Sequence, residues 1–102
     1  MAIGLDIGSS SVKAIRTDAR GTIRASARRA IATRRGRDGR VEHDAAGILD
    51  AVRQTILAVT RGAAPDEPLG IATQRSTILF WDSGSGRPIT PAYSWQDLRG
   101  RD

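Results

Sequence analysis

The segment that decides the fold lies near the amino terminus and reads Ile3-Gly4-Leu5-Asp6-Ile7-Gly8-Ser9-Ser10-Ser11-Val12-Lys13. Apolar residues alternate with small or polar ones as far as Ile7, which is typical of a strand with one buried face. Gly8-Ser9-Ser10 is a turn sequence, and an apolar pattern resumes at Val12. The segment therefore predicts two antiparallel strands joined by a tight turn, with Asp6 close to that turn.

The remaining sequence extends this pattern towards a mixed fold. A turn at 18–21 leads to a third strand candidate at 22–33 and then to a polar loop at 34–40. Apolar residues then recur at helical spacing, which predicts a helix from about Ala45 to Arg61, capped by Asp44 and ended by Gly62. After the helix we expect strands at 69–74 and 77–82, a hairpin turn at 83–86, an extended segment at 88–95 and a helix-like end from Gln96.

The order β-β-β-α-β predicts an α/β fold with a mixed sheet and a hairpin extension. One helix covers only one face of such a sheet, so apolar surface should remain exposed on the other face. We therefore expect the chain to be part of a larger fold and to form a homo-oligomer or to be marginally stable. The four aromatic residues all lie in the last quarter, and we expect either Phe80 or Trp81 to be part of the core.

Composition excludes several classes of function. The 102 residues include no cysteine and a single histidine, His43, which excludes thiolate chemistry and disfavours a zinc site. His43 stands beside the expected helix cap, where a structural role is the preferred interpretation. No run approaches the ~18 apolar residues that span a bilayer, and the amino terminus lacks the pattern of a secretory signal. We therefore expect a cytoplasmic protein with no membrane partner.

The charge is strongly basic, at +5, because the chain has 15 arginines and one lysine, Lys13. Such a charge raises nucleic acid as a candidate partner. The arginines between Arg16 and Arg40 lack the interleaved aromatic residues that base stacking needs. A solvated surface is therefore the preferred interpretation, and nucleic-acid binding is the less favoured one.

The first turn is a candidate phosphate site. Backbone N–H groups and hydroxyls of Gly8, Ser9 and Ser10 can face an anion, and Lys13 adds a positive charge. The Asp6 carboxylate beside them could hold a metal ion, either directly or through water. The alternative is an ordinary β-turn after a strand that ends in an acid. The spacing is not that of a P-loop.

Four segments together resemble the FGGY carbohydrate kinases, the family of glycerol kinase and xylulokinase. Residues 5–13 resemble the first phosphate motif of sugar kinases with an actin-like, ribonuclease H-type fold. The other three segments occur in the family's order: Val41-Glu42-His43-Asp44, Thr73-Gln74-Arg75-Ser76-Thr77 and Trp95-Gln96-Asp97-Leu98-Arg99. The resemblance covers the chain from Ile3 to Arg99.

The resemblance implies ATP and Mg²⁺ as cofactors. By that likeness, Asp6 would help to position Mg²⁺, and Ser9 and Ser10 in the turn after Gly8 would contact the β- and γ-phosphates. Lys13 would assist with its charge.

The same resemblance implies a carbohydrate site. Arg75 would donate hydrogen bonds to substrate hydroxyls, Trp95 would form an apolar wall, and Asp97 could accept from a hydroxyl. Ser76 stands where glycerol kinases have glutamate, which should change the hydroxyls that are recognised. Lys13 replaces their arginine and is usual in pentulose kinases, so the sugar or polyol stays open.

Residues 1–102 are interpreted as the first part of the family's N-terminal domain. The general base and the adenine-binding domain would lie outside this chain, so it contains no catalytic residue and should be inactive alone. Its function would be that of an ATP-dependent sugar or polyol kinase completed by the remainder of the kinase chain. The alternatives are a non-catalytic ribonuclease H-like module that binds a partner or sugar, and a basic nucleic-acid-binding domain.

Overall fold

The structure, a computed structural model, describes residues 1–61 and 66–100. Its main sheet has four strands in the order β3-β2-β1-β6. The strands are β1 (Ala2–Ile7), β2 (Ser11–Thr17), β3 (Ile23–Ala30) and β6 (Leu69–Thr73). The first three are antiparallel, whereas β6 runs parallel to β1, with Leu5 opposite Ile71. The expected mixed sheet is confirmed, although β3 ends earlier than predicted.

The core forms between this sheet and the helix α1 (Ala45–Val59). Asp44 occupies the N-cap position with extended backbone, but its side chain makes no capping hydrogen bond. The predicted apolar stripe packs on the sheet: Val59 is buried, and Ile48, Val52 and Ile56 pack against the core cluster. The helix ends at Val59 rather than Arg61, and the predicted stop at Gly62 and part of the following loop lie outside the described residues.

The position of α1 determines which apolar residues stay exposed. The helix packs over β1, β2 and β3. Ile71 shares the side of Leu5, because residues in register on parallel strands point to the same face. Leu5 is 4% exposed but Ile71 is 60% exposed, since α1 does not cover β6. Apolar surface is exposed on the face without the helix, as expected, where an open groove includes Gly4 and Ile15. Exposed apolar residues also lie on the helix side of the edge strand β6.

A second sheet was not predicted. It joins β4 (Thr33–Arg35), β5 (Val41–His43) and β7 (Ala92–Tyr93) in the order β4-β5-β7. The turn between β4 and β5 contains Asp38-Gly39, with Gly39 at φ 88°. Asp-Gly is a strong hairpin signal, and the prediction of a plain polar loop overlooked it.

The hairpin extension is less regular than predicted. In place of a strand at 77–82, single antiparallel bridges join Ile78 to Tyr93 and Trp81 to Pro88. The predicted turn at 83–86 is present, since the Gly86 N–H donates to the Asp82 carbonyl at 2.7 Å. The expectation of a core aromatic here was wrong, because Phe80 and Trp81 are 62% and 61% exposed.

Segment 94–99 forms turns rather than the predicted helix-like end. The Asp97 N–H donates to the Ser94 carbonyl at 2.9 Å, and the Leu98 N–H donates to Gly39 at 2.9 Å. These bonds place the segment against the β4–β5 turn. Among the described residues, no helix has both the length and the apolar character needed to cross a membrane.

Candidate functional site

The two predicted halves of the site follow neighbouring strands at one edge of the main sheet. Because β1 and β6 are parallel and paired as far as Ile7 and Thr73, their carboxyl ends meet. The Gln74 N–H donates to the Ile7 carbonyl at 2.8 Å, which extends the pairing one residue further. The turn at 8–10 and the pair Arg75 and Ser76 therefore leave the sheet at the same edge, where ligands of α/β sheets usually bind.

The turn after β1 is held from three sides. The Gly8 N–H donates to the Ser11 carbonyl at 3.0 Å, and the Ser10 carbonyl accepts from the Ile31 N–H at 3.0 Å. The Gln74 side-chain amide donates to the Gly8 carbonyl at 3.1 Å. A Cβ at position 8 would meet the Ser11 carbonyl oxygen at 3.0 Å, so the turn favours glycine there. Sequence reasoning had not assigned Gln74 a role.

Asp6 and Lys13 are cross-strand partners and both are exposed. With Gly4 and Ile15 they border a shallow groove of about 550 Å³ over β1, β2 and β6. In the part of the chain that the structure describes, no three acidic or histidine side chains form a metal cluster. A lone exposed carboxylate fits Mg²⁺, which commonly takes one or two carboxylates and completes its shell with water and phosphate oxygens.

Three of the predicted substrate residues lie together. Arg75, Ser76 and Trp95 line a pocket of about 410 Å³. Ser76 has a positive φ of 58°, a backbone conformation that is uncommon for residues other than glycine and asparagine. Trp95 is 55% exposed, so its indole is available as an apolar wall.

An adjoining pocket of about 670 Å³ brings Asp97 to the same area. Its lining includes Ser76, Trp95 and Asp97, together with Ile78, Phe80, Tyr93, Ser94, Arg99 and Gly100. The predicted substrate residues are thus contiguous across the two pockets. Asp6 and Lys13 border the separate groove on the sheet.

The Asp97 carboxylate is already engaged by protein donors. Its Oδ2 accepts from the Val41 N–H at 3.0 Å, and its Oδ1 accepts from the Arg99 N–H at 3.0 Å. The Arg99 guanidinium adds further bonds, of which the shortest is 2.8 Å. Chiefly because of these Arg99 bonds, the pKa of Asp97 lies well below its usual range. The geometry favours a supporting role over hydrogen bonding to a ligand.

Glu42 and Arg99 were missed as candidate site residues, although both lie in segments that carried the resemblance. Arg99 donates to Glu42 at 2.8 Å and lies 5.5 Å from the centre of the Tyr93 ring. The bonds to Asp97 and Glu42 raise the pKa of Arg99 above its usual value. The only signal in the sequence was that one of these segments, 41–44, contains an acid, Glu42, and another, 95–99, contains an arginine, Arg99.

His43 is buried, as a structural role requires. It is 1% exposed, and its Nδ1 lies 3.0 Å from the Thr33 hydroxyl on β4. This contact fastens β5 to its neighbouring strand.

The profile of the N-terminal domain of the FGGY family of carbohydrate kinases matches residues 1–102. The chain belongs to the FGGY family. It is 39% identical over 101 residues to a glycerol kinase of Bordetella pertussis, covering 95% of this chain and 20% of that protein. It is 37% identical over 99 residues to an apulose kinase of Pectobacterium atrosepticum, covering 95% of this chain and 20% of that protein.

FGGY kinases of known structure share the fold. The chain superposes on Plasmodium falciparum glycerol kinase, solved with ADP, with a TM-score of 0.81 and 25% identity, covering 97% of this chain and 21% of that one. The ribonuclease H-like expectation is therefore confirmed. This FGGY chain spans about a fifth of the length of the curated relatives it matches.

Proposed function

We propose that this chain contributes to a kinase that transfers the γ-phosphate of ATP to a hydroxyl of a sugar or polyol. The observation that carries the proposal is the parallel pairing of β1 with β6. This pairing brings the turn at 8–10, beside Asp6, and the pair Arg75 and Ser76 to the same edge of the sheet. The membership of the FGGY family supports the same reaction class.

The nucleotide half would use the turn at 8–10. Ser9 and Ser10 would face the phosphates, Lys13 would supply positive charge, and Asp6 would hold Mg²⁺. When bound, Mg²⁺ neutralises charge on the ATP phosphates and orients them. The exposure of Asp6 and Lys13 and the hydrogen bonds that hold the turn support this assignment.

The acceptor half would use the pockets around Trp95. Arg75 would donate to substrate hydroxyls, and the Trp95 ring would cover the carbon skeleton, because carbohydrate sites combine apolar walls with a few polar groups. Ser76 would contribute a hydroxyl in place of a carboxylate. Asp97 would support this wall from behind, since its oxygens are engaged by Arg99 and Val41.

Catalysis would come mainly from positioning and charge neutralisation. The general base that accepts the hydroxyl proton, and the adenine-binding domain, are proposed to lie outside residues 1–102. The remainder of the kinase would then be the chain's principal partner. We propose a cytoplasmic location, because the reaction requires ATP.

The proposal predicts that the two halves can be impaired separately. The test uses the longest gene product that carries this chain, with glycerol and xylulose as acceptors. Asp6→Asn should remove most turnover and leave acceptor binding nearly unchanged, whereas Arg75→Gln should weaken acceptor binding. Arg53→Gln, at an exposed position of α1, is the matched control for Arg75. Equal effects of Asp6→Asn and Arg75→Gln on acceptor affinity would contradict this division.

The same assay addresses the alternative of a non-catalytic module. Acceptor binding without any phosphorylation, in a product that includes all of the gene, would support that alternative.

A further inference from the structure

The second and fourth segments that resemble FGGY kinases are bonded to each other. β5, which contains Val41 and Glu42, lies against segment 94–99. The Ser94 N–H donates to the Val41 carbonyl at 3.0 Å, and the Val41 N–H donates to the Asp97 carboxylate at 3.0 Å. Residues more than 50 positions apart along the chain thus exchange backbone and side-chain bonds.

Arg99 links the two segments by charge. It bonds to Glu42 and to Asp97, each at 2.8 Å, and the two carboxylate side chains are 7% and 10% exposed. The planar guanidinium presents several N–H donors in a fixed fork and can serve both acids at once. An ammonium group on a flexible stem offers no such fork.

The Trp95 indole lacks comparable support of its own. Trp95 is 55% exposed, and its backbone N–H donates to the Thr77 hydroxyl at 3.3 Å. The position of the ring therefore depends on how the residues on either side of it are held, Ser94 before it and Asp97 to Arg99 after it.

We propose that Glu42 and Arg99 are positioning residues for the acceptor pocket: through Asp97 they hold segment 94–99 so that Trp95 faces Arg75. This inference deepens the proposed function and depends on it for the identity of the acceptor. Glu42 and Arg99 act through the backbone and Asp97, so neither has to touch the substrate.

The first test needs no ligand. Within residues 1–102, a Trp81→Phe substitution leaves Trp95 as the only tryptophan, so acrylamide quenching of this 102-residue chain reports the accessibility of Trp95. Arg99→Gln and Glu42→Gln should both change the quenching constant and the emission maximum. The matched control is Arg16→Gln, which breaks a similar ion pair to Glu67, 2.6 Å long and with side chains 15% and 7% exposed. Arg16→Gln should lower stability but leave Trp95 emission unchanged.

The second test is kinetic and uses the longest gene product that carries this chain. Arg99→Gln should raise the KM for the acceptor on the order of tenfold to a hundredfold, because small displacements of a positioning group are costly. The KM for ATP should change by less than about twofold. Arg99→Lys should have an acceptor KM between those of the unaltered protein and Arg99→Gln, because lysine restores the charge but not the planar fork of N–H donors.

Two outcomes would overturn the inference: unchanged Trp95 quenching in both Arg99→Gln and Glu42→Gln, or an equal change in Arg16→Gln. If Arg99→Gln does not fold, Glu42→Gln and Arg99→Lys decide by the same criteria. If Trp95 responds as expected but the unaltered protein phosphorylates no sugar, the proposed function fails and the positioning of Trp95 stands.

Discussion

The side-chain amide of Gln74 donates a hydrogen bond of 3.1 Å to the carbonyl oxygen of Gly8, 66 residues earlier in the chain. Gly8 begins the turn after β1, and Gln74 directly follows β6. The bond therefore ties the proposed phosphate turn to the strand end that leads to Arg75. It makes Gln74 a direct physical link between the two proposed halves of the site.

Loss of this link should loosen the turn. Gln74→Met keeps a similar length of side chain but removes the donor, and a net loss of about 1 kcal/mol in unfolding free energy is expected. Amide hydrogen exchange at residues 8–11 should accelerate. Gln54→Met is the control, because Gln54 is an exposed helix residue that accepts from Arg29. Its effect should stay within about 0.5 kcal/mol. Unchanged exchange in Gln74→Met would show that the bond does not hold the turn.

The close approach of Gly39 to Leu98 gives a second prediction. Gly39 has φ 88°, and an added Cβ would lie 2.9 Å from the Leu98 Cβ. Gly21 has a similar φ of 82° but no atom within 4 Å of its added Cβ. Gly21→Ala should therefore lower the free energy of unfolding by about 1 kcal/mol, from backbone strain alone. Gly39→Ala should lower the free energy of unfolding by more, about 2–3 kcal/mol, because the contact with Leu98 adds to the backbone strain. It should also displace segment 94–99. Equal melting temperatures for the two variants would contradict the contact with Leu98.

The lowered pKa of Asp97 predicts how segment 94–99 responds to acid. The usual pKa of such a carboxyl is 3.8, and that of Asp97 is lower in the folded state. Ionised Asp97 therefore stabilises the folded state at pH values above about 3.8, and this stabilisation is lost as the pH falls further. In the Trp81→Phe background, Trp95 emission should therefore hold steady down to about pH 4 and change in stronger acid. Asp97→Asn should weaken this acid dependence.

Asp82→Asn is the matched control for that titration. The pKa of the Asp82 carboxyl is also lowered, chiefly by a hydrogen bond from the Gly84 backbone N–H within the hairpin turn. Removal of the Asp82 carboxylate should leave the pH profile of Trp95 emission unchanged. If both variants alter this profile equally, the acid response is global unfolding rather than release of segment 94–99.

Exposed apolar residues on β6 should promote self-association of this chain. β6 is an edge strand of the main sheet, and Ile71 on it is 60% exposed. Ile71→Thr keeps β-branching and should reduce any oligomer seen by sedimentation velocity. Leu57→Gln, at a helix position that is 68% exposed, should not reduce it. A chain that is already monomeric at high concentration would contradict this prediction.

Local patterns in the sequence were enough to predict most of the main sheet and the helix. Alternation around Leu5 marks a strand, and the spacing from Ile48 to Val59 marks a helix, because each pattern reflects burial on one face of one element. The family was also accessible from sequence, because four short segments carry it together. The small second sheet could not be predicted from the sequence, because its strands are only two or three residues long. One of its two pairings, β5 with β7, also joins segments that are far apart in the chain.

The sequence by itself determined the order of the main-sheet strands and the helix, the turn that follows β1, and the residue types available for phosphate and carbohydrate. Only the tertiary structure decided how those residues combine. The engagement of Asp97 by Arg99, the ion pair of Arg99 with Glu42, and the exposure of Ile71 depend on contacts between segments far apart in the chain. The pattern of a single strand or helix reports which of its faces is buried, but not which distant side chain will occupy its hydrogen bonds or which part of a sheet the helix will cover.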